Sequence, residues 1–188
     1  MVNPFFRNNG PFKFRDILKE LNLKIDENNE NPNIIDIKDL QNSKLDEITF
    51  FHSQKYKSAA NNTKASYCIT TEKLKNELPK SCKPIIVDNV LVSTSIITSK
   101  FYPDSVNDDF DDTVEEINNT KFYDKVKFGK NVLIGQNVSI GSNCLIGHNS
   151  IIEKNVSIGD NCSIGSNTIV RNSLIKNNVK ILDNCIIG

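Results

Sequence analysis

FGKNVLIGQNVSIGSNCLIGHNSIIEKNVSIGDNCSIGSNTIV, residues 128–170, returns an aliphatic or aromatic side chain every sixth position: Phe128, Ile134, Ile140, Ile146, Ile152, Ile158, Ile164 and Val170. Glycine follows at Gly129, Gly135, Gly141, Gly147, Gly159 and Gly165, with asparagine two places later, from Asn131 through Asn167. A fixed period with turn residues in fixed phase is the signature of a solenoid of short, stacked parallel strands. Two places before each aliphatic residue stands a small or apolar one (Val132, Val138, Cys144, Ser150, Val156, Cys162, Thr168). Positions two apart share one face of a strand, so both rows point inward. Glycine and asparagine tolerate positive φ, which assigns them to the corners. Beyond Val170 the inward row continues at Ile175, Ile181 and Ile187, one residue short. That slip predicts a five-residue corner between Val170 and Ile175; an irregular helix beyond Val170 is the alternative.

Composition narrows the class. The 188 residues carry 23 basic and 23 acidic side chains, so net charge offers no case for nucleic acid or an anionic membrane as partner. No stretch approaches the run of apolar residues that a spanning helix requires, and a cytoplasmic protein is expected. Five cysteines, Cys68, Cys82, Cys144, Cys162 and Cys185, have neither zinc spacing nor an even count, and no metal site is expected. Cys144 and Cys162 are three hexapeptides apart, on neighbouring rungs, and read as stacked core thiols.

Residues 1–101 read as a separate α/β domain. Pro11 opens a helix whose apolar positions are Phe14, Ile17, Leu18 and Leu21, and β-prone runs follow at Ile34–Ile37, Glu47–Phe51, Ser66–Thr70 and Pro84–Asp88. Thr71–Leu78 reads as helical or polar, and a further helix is expected over Asn89–Phe101. Residues 102–125, with Asp104, Asp109, Asp111, Asp112, Glu115 and Glu116, read as a solvated acidic linker, and residues 126–188 as the solenoid. The outward positions Leu133, Ile151, Ile169 and Ile186 form one apolar column, against Ser139 and Ser157 on the next face. Such a stripe predicts a homotrimer contact, the alternative being that an N-terminal segment lies on it.

Asn3-Pro4-Phe5-Phe6 with Gly10-Pro11-Phe12, Ile48-Thr49-Phe50-Phe51-His52 through Lys55-Tyr56, Asn62-Thr63-Lys64-Ala65-Ser66, and Phe101-Tyr102-Pro103 ahead of the hexapeptides resemble UDP-3-O-(3-hydroxyacyl)glucosamine N-acyltransferases of lipid A biosynthesis. The resemblance implies an α/β N-terminal uridine-binding domain followed by a left-handed parallel β-helix, assembled as a homotrimer. Handedness comes from the family, because parallel crossovers are ordinarily right-handed. The implied reaction moves a 3-hydroxyacyl chain from acyl carrier protein to the 2-amino group of a UDP-sugar, without a cofactor. Two aromatic rings six residues apart sandwich the uracil in that family, with a polar residue between them. Carried over, these are Phe50, Ser53 and Tyr56, where serine replaces the asparagine common in the family.

The family's histidine base lies in a later coil. By resemblance it falls beyond Gly188, which implies a chain truncated at its C-terminus and inactive alone, while His148, in Ile146-Gly147-His148-Asn149, is the one candidate within the solenoid. A hexapeptide sugar acetyltransferase using acetyl-CoA, or a non-catalytic scaffold, are the competing readings, since the repeat alone names a superfamily.

Overall fold

A computed structural model describes residues 4–26, 30–106, 109–117 and 125–188, and the chain forms two compact units, within residues 6–107 and 108–188. In the first, β1 (Phe12–Lys13) leads into α1 (Phe14–Glu20), followed by β2 (Asn33–Ile34), β3 (Asp36–Ile37), β4 (Glu47–Phe51), α2 (Lys57–Asn61), β5 (Tyr67–Thr70), β6 (Lys83–Ile86) and α3 (Val90–Phe101). The first helix begins at Phe14 rather than Pro11 because Phe12 and Lys13 pair antiparallel with Ile34 and Asn33. Asn89 caps α3, its side chain accepting the Val92 N–H at 3.2 Å.

Strands β3 to β6 make a four-stranded parallel sheet in sequence order. Its strands alternate, as period two requires. Ile48, Tyr67, Ile69 and Ile85 face a core with Ile17, Ile97 and Phe101 of the two long helices, while Phe51, Cys68 and Cys82 face a second core with Ala60 and Leu74. The neighbouring Cys82 thiol and burial push the Cys68 thiol up, so it stays protonated. Tyr102, which falls in the stretch read as linker, belongs to this unit: its buried hydroxyl donates to Asp36 Oδ1 at 2.6 Å, and Lys38 pairs with Asp36 Oδ2 at 2.6 Å.

The second unit opens with β7 (Glu115–Glu116) and continues through the solenoid rungs β8 (Lys127–Phe128), β9 (Leu133–Ile134), β10 (Ser139–Ile140), β11 (Leu145–Ile146), β12 (Ile151–Ile152), β13 (Ser157–Ile158), β14 (Ser163–Ile164), β15 (Ile169–Val170), β16 (Leu174–Ile175), β17 (Lys180–Ile181) and β18 (Ile186–Ile187). Rungs three apart pair in parallel, giving three faces: β8-β11-β14-β17, β9-β12-β15-β18 and β10-β13-β16. Ile146, Ile152, Ile158, Ile164 and Val170 fill the interior. The five-residue corner is present: Ser157 pairs with Leu174, 17 positions on, where Ser139 pairs with Ser157 at 18.

The corners divide their work differently from the sequence expectation. From Asn131 to Asn184 the corner asparagines take the left-handed backbone, with φ between 47° and 62°, as Lys125 does one repeat earlier at 57°. The repeat glycines do not; they are small because the next coil's backbone lies against them, and a Cβ on Gly129 would sit 2.5 Å from the His148 nitrogen.

Corner amides are satisfied by side chains one coil on. Lys130 N–H donates to His148 Nδ1 at 2.8 Å, His148 N–H to Ser166 Oγ at 3.2 Å, and Ser166 N–H to Asp183 Oδ1 at 2.6 Å. A second edge repeats this from Ser142 to Asp160 and from Asp160 to Asn177, at 2.8 and 2.9 Å. On the third edge the corresponding residue is Lys154, which has no acceptor. There the acidic segment supplies two: Thr113 Oγ1 accepts from Gln136 N–H at 3.0 Å, and Asp111 Oδ2 from Lys154 N–H at 2.6 Å. Glu115 and Glu116 also pair antiparallel with Ile134 and Leu133. This part of the expected solvated linker is thus docked on the solenoid, with Asp111 only 5% exposed; residues 107–108 and 118–124 lie outside the described residues.

Candidate nucleotide cleft

Parallel sheets place loops at the carboxyl ends of their strands, where backbone groups are free to approach a ligand. In the first unit the loops after β3 and β4 enclose a cleft of about 310 Å³ lined by Asp39, Leu40, Gln41, Phe50, His52, Tyr56 and Ala59. That volume is at the small end for ligand pockets and suits a flat heterocycle.

Each wall has a local cause. Phe50 shares the sheet face of Ile48, so its ring is half-buried against the first core at the end of β4. The chain then makes a 3₁₀ turn over Gln54–Tyr56, which runs into α2 and sets Tyr56 and Ala59 on the cleft. The His52 ring neighbours both: its centroid is 6.5 Å from Phe50, with planes inclined by 22°, and 5.3 Å from Tyr56, inclined by 49°. Tyr56 is 42% exposed, enough ring surface to stack on a base.

Ser53 behaves otherwise than the resemblance implies. Its Oγ accepts the Lys55 N–H at 3.4 Å as N-cap of the 3₁₀ turn, and it is not among the cleft-lining residues. Local capping is the contact its hydroxyl makes.

Asp39 is the charged member of the cleft. Its carboxylate accepts from Asn42 Nδ2 at 2.8 Å, Gln41 N–H at 2.9 Å and Asn42 N–H at 3.0 Å. The Asn42 side chain, with those backbone donors, outweighs burial and holds the Asp39 carboxyl below the usual carboxylate range. His52, Asp39, Leu40, Gln41 and Ala59 had no role in the sequence reading. His52 was visible inside the aromatic segment, whereas residues 39–41 come to the cleft through the pairing of β3 with β4.

His148 is elsewhere, at a solenoid corner, with Nδ1 occupied by the Lys130 amide. It occupies the relay position held by Ser166, Asp160, Asn177 and Asp183 on other coils. Leu133, Ile151, Ile169 and Ile186 do stack in register as one column. Among the described residues no group of His, Cys, Asp and Glu is placed to hold a metal ion, and no helix is long and apolar enough to cross a membrane.

Residues 31–98, which contain the cleft, match the family model described as UDP-3-O-(3-hydroxymyristoyl) glucosamine N-acyltransferase, LpxD. Residues 137–172 match the bacterial transferase hexapeptide model of six repeats. No curated protein matches the chain. An LpxD-type match ahead of transferase hexapeptides, whose stacked parallel rungs fit a left-handed β-helix, makes this chain similar to the LpxD-like hexapeptide acyltransferases.

Proposed function

We propose that the cleft binds the uridine end of a UDP-sugar and that the chain serves lipid A biosynthesis as an N-acyltransferase. The observation that carries this reading is the convergence of Phe50 and Tyr56 on one small cleft within the segment matched to LpxD. Aromatic faces accept a flat base at little entropic cost, and polar groups at the rim suit its edge. The reaction is acyl transfer from a 3-hydroxyacyl carrier protein to the 2-amino group of UDP-3-O-acylglucosamine. The amine attacks the thioester carbonyl, a C–N bond forms, the C–S bond breaks, and the carrier thiol leaves. The carrier protein brings the activated acyl group, so the reading needs no cofactor on this chain. The enzyme acts in the cytoplasm as a homotrimer.

The amine must lose a proton as it reacts, which calls for a positioned base. His148 is not that base in this reading, because its Nδ1 serves the corner relay. Calorimetric titration with a UDP-sugar tests the cleft: Tyr56→Ala should weaken binding by about 1–3 kcal/mol. Equal affinity in wild type and variant would remove the cleft from the function.

A further inference from the structure

The cleft carries more information than its two flanking rings. Its lining is apolar at Leu40, Phe50 and Ala59, and its polar members are Asp39, Gln41, His52 and the Tyr56 phenol. We infer that Gln41 and His52, rather than Ser53, hold the polar edge of the base, and that the phosphates point away from Asp39; this rests on the uridine reading above.

The charges give the orientation. Three of the roughly four acceptor sites on the Asp39 carboxylate are used by its own turn, so it stands beside the cleft as a fixed negative charge rather than a free hydrogen-bonding group. A diphosphate is repelled from that wall. On the Tyr56 side the Lys55 ammonium stands 6.0 Å from the Tyr56 ring centroid, which draws the phosphates that way. The base edge is left facing the loop after β3, where Gln41 lies.

The chemistry of the edge fits the two residues. Uracil presents an acceptor, a donor and an acceptor in a row at O2, N3–H and O4. A glutamine amide offers both donor and acceptor, and an imidazole offers two ring nitrogens. Gln41 and His52 are both exposed at the cleft, so neither is needed for the core. Ser53 lies outside the lining, and its oxygen accepts the Lys55 amide.

The test uses UMP and its N3-methyl derivative, which lacks the N3–H donor, titrated against wild type, Gln41→Ala, His52→Ala and Ser53→Ala, with thermal melts to verify folding. Wild type should prefer UMP by about five- to tenfold, the scale of one directed hydrogen bond. That preference should fall to about twofold or less in Gln41→Ala or His52→Ala and persist in Ser53→Ala. Persistence in both of the first two variants, its loss in Ser53→Ala, or equal binding of the two ligands by wild type would overturn the inference. Failure of wild type to bind UMP at all would instead overturn the uridine reading on which it rests.

Discussion

At the scale of single residues, the solenoid separates two requirements that glycine is often asked to meet together. Asn149 has φ of 55°, and its side chain donates to Asn167 Oδ1 at 3.2 Å and accepts from Asn131 Nδ2 at 3.0 Å, so the left-handed corner comes with a ladder of amides. Gly147 has no positive φ, yet a Cβ there would run into the backbone of Gly165 and Ser166. Both positions therefore favour glycine over alanine, but for different reasons. Asn149→Gly should cost only the amide contacts, whereas Asn149→Ala should add about 1–2 kcal/mol of backbone strain. At position 147 glycine is required for space, and Gly147→Ala should destabilise by about 1–3 kcal/mol through overpacking. Urea unfolding of the three variants checks this; an Asn149→Ala variant no less stable than Asn149→Gly would refute the division. The inward polar residues follow a similar economy: Ser150 Oγ donates to Gly165 O at 2.8 Å and accepts from Thr168 N–H at 3.2 Å, satisfying corner groups from inside.

Elements are held by the relays that those residues make. His148 supplies a corner acceptor and nothing in its surroundings marks it for catalysis, so His148→Ala should cost about 1 kcal/mol of stability, and His148→Asp, which restores an acceptor, should recover most of it. Equal melting curves for the two variants would count against the relay. Asp111 does the same for the third edge from outside the repeat. Burial alone would raise its pKa; the hydrogen bonds from Thr113 and from the Lys154 amide outweigh burial and hold the carboxyl below the usual range. A depressed native pKa contributes stability that is present above the unfolded value and lost as pH falls through the native one, below about pH 4. Asp111→Asn should therefore be less stable than wild type by about 1–3 kcal/mol at pH 7, and the gap should narrow as pH falls below about 4. A gap independent of pH would show that charge is not what docks the segment. This relay also marks where the sequence stopped being legible. The repeat, its slipped corner and the capped helix α3 follow from local period and local caps, and all were readable. Docking of Asp111 on Lys154 spans 43 positions and answers a missing acceptor that exists only once coils are stacked. The cleft divided in the same way: Phe50 and Tyr56 were readable as a spaced aromatic pair, but Gln41 arrives through strand pairing and Ser53 leaves through a turn cap.

For the molecule as a whole, the open question is what faces the column Leu133, Ile151, Ile169 and Ile186. Parallel pairing in register stacks these side chains on one solenoid face, while the other faces present Lys127, Leu145, Ser163 and Lys180, or Ser139, Ser157 and Leu174. β7 joins this sheet at its edge beside β9, extending it in plane rather than covering the outward side chains. Ile186 remains 71% exposed and Leu133, Ile151 and Ile169 half-buried, so the stripe retains apolar surface for a partner to remove from water. Fully burying an aliphatic side chain is worth about 1.5–3 kcal/mol, and a column repeated on three subunits offers a contact that a closed ring can use on every member. A lysine at the centre of that column carries a charge that the interface would have to desolvate, whereas on a free face it simply projects into solvent. Ile151→Lys should thus move the mass measured by light scattering from trimer to monomer while leaving the monomer's solenoid folded by circular dichroism. A variant that stays trimeric with unchanged melting would show that the column faces something other than a neighbouring copy.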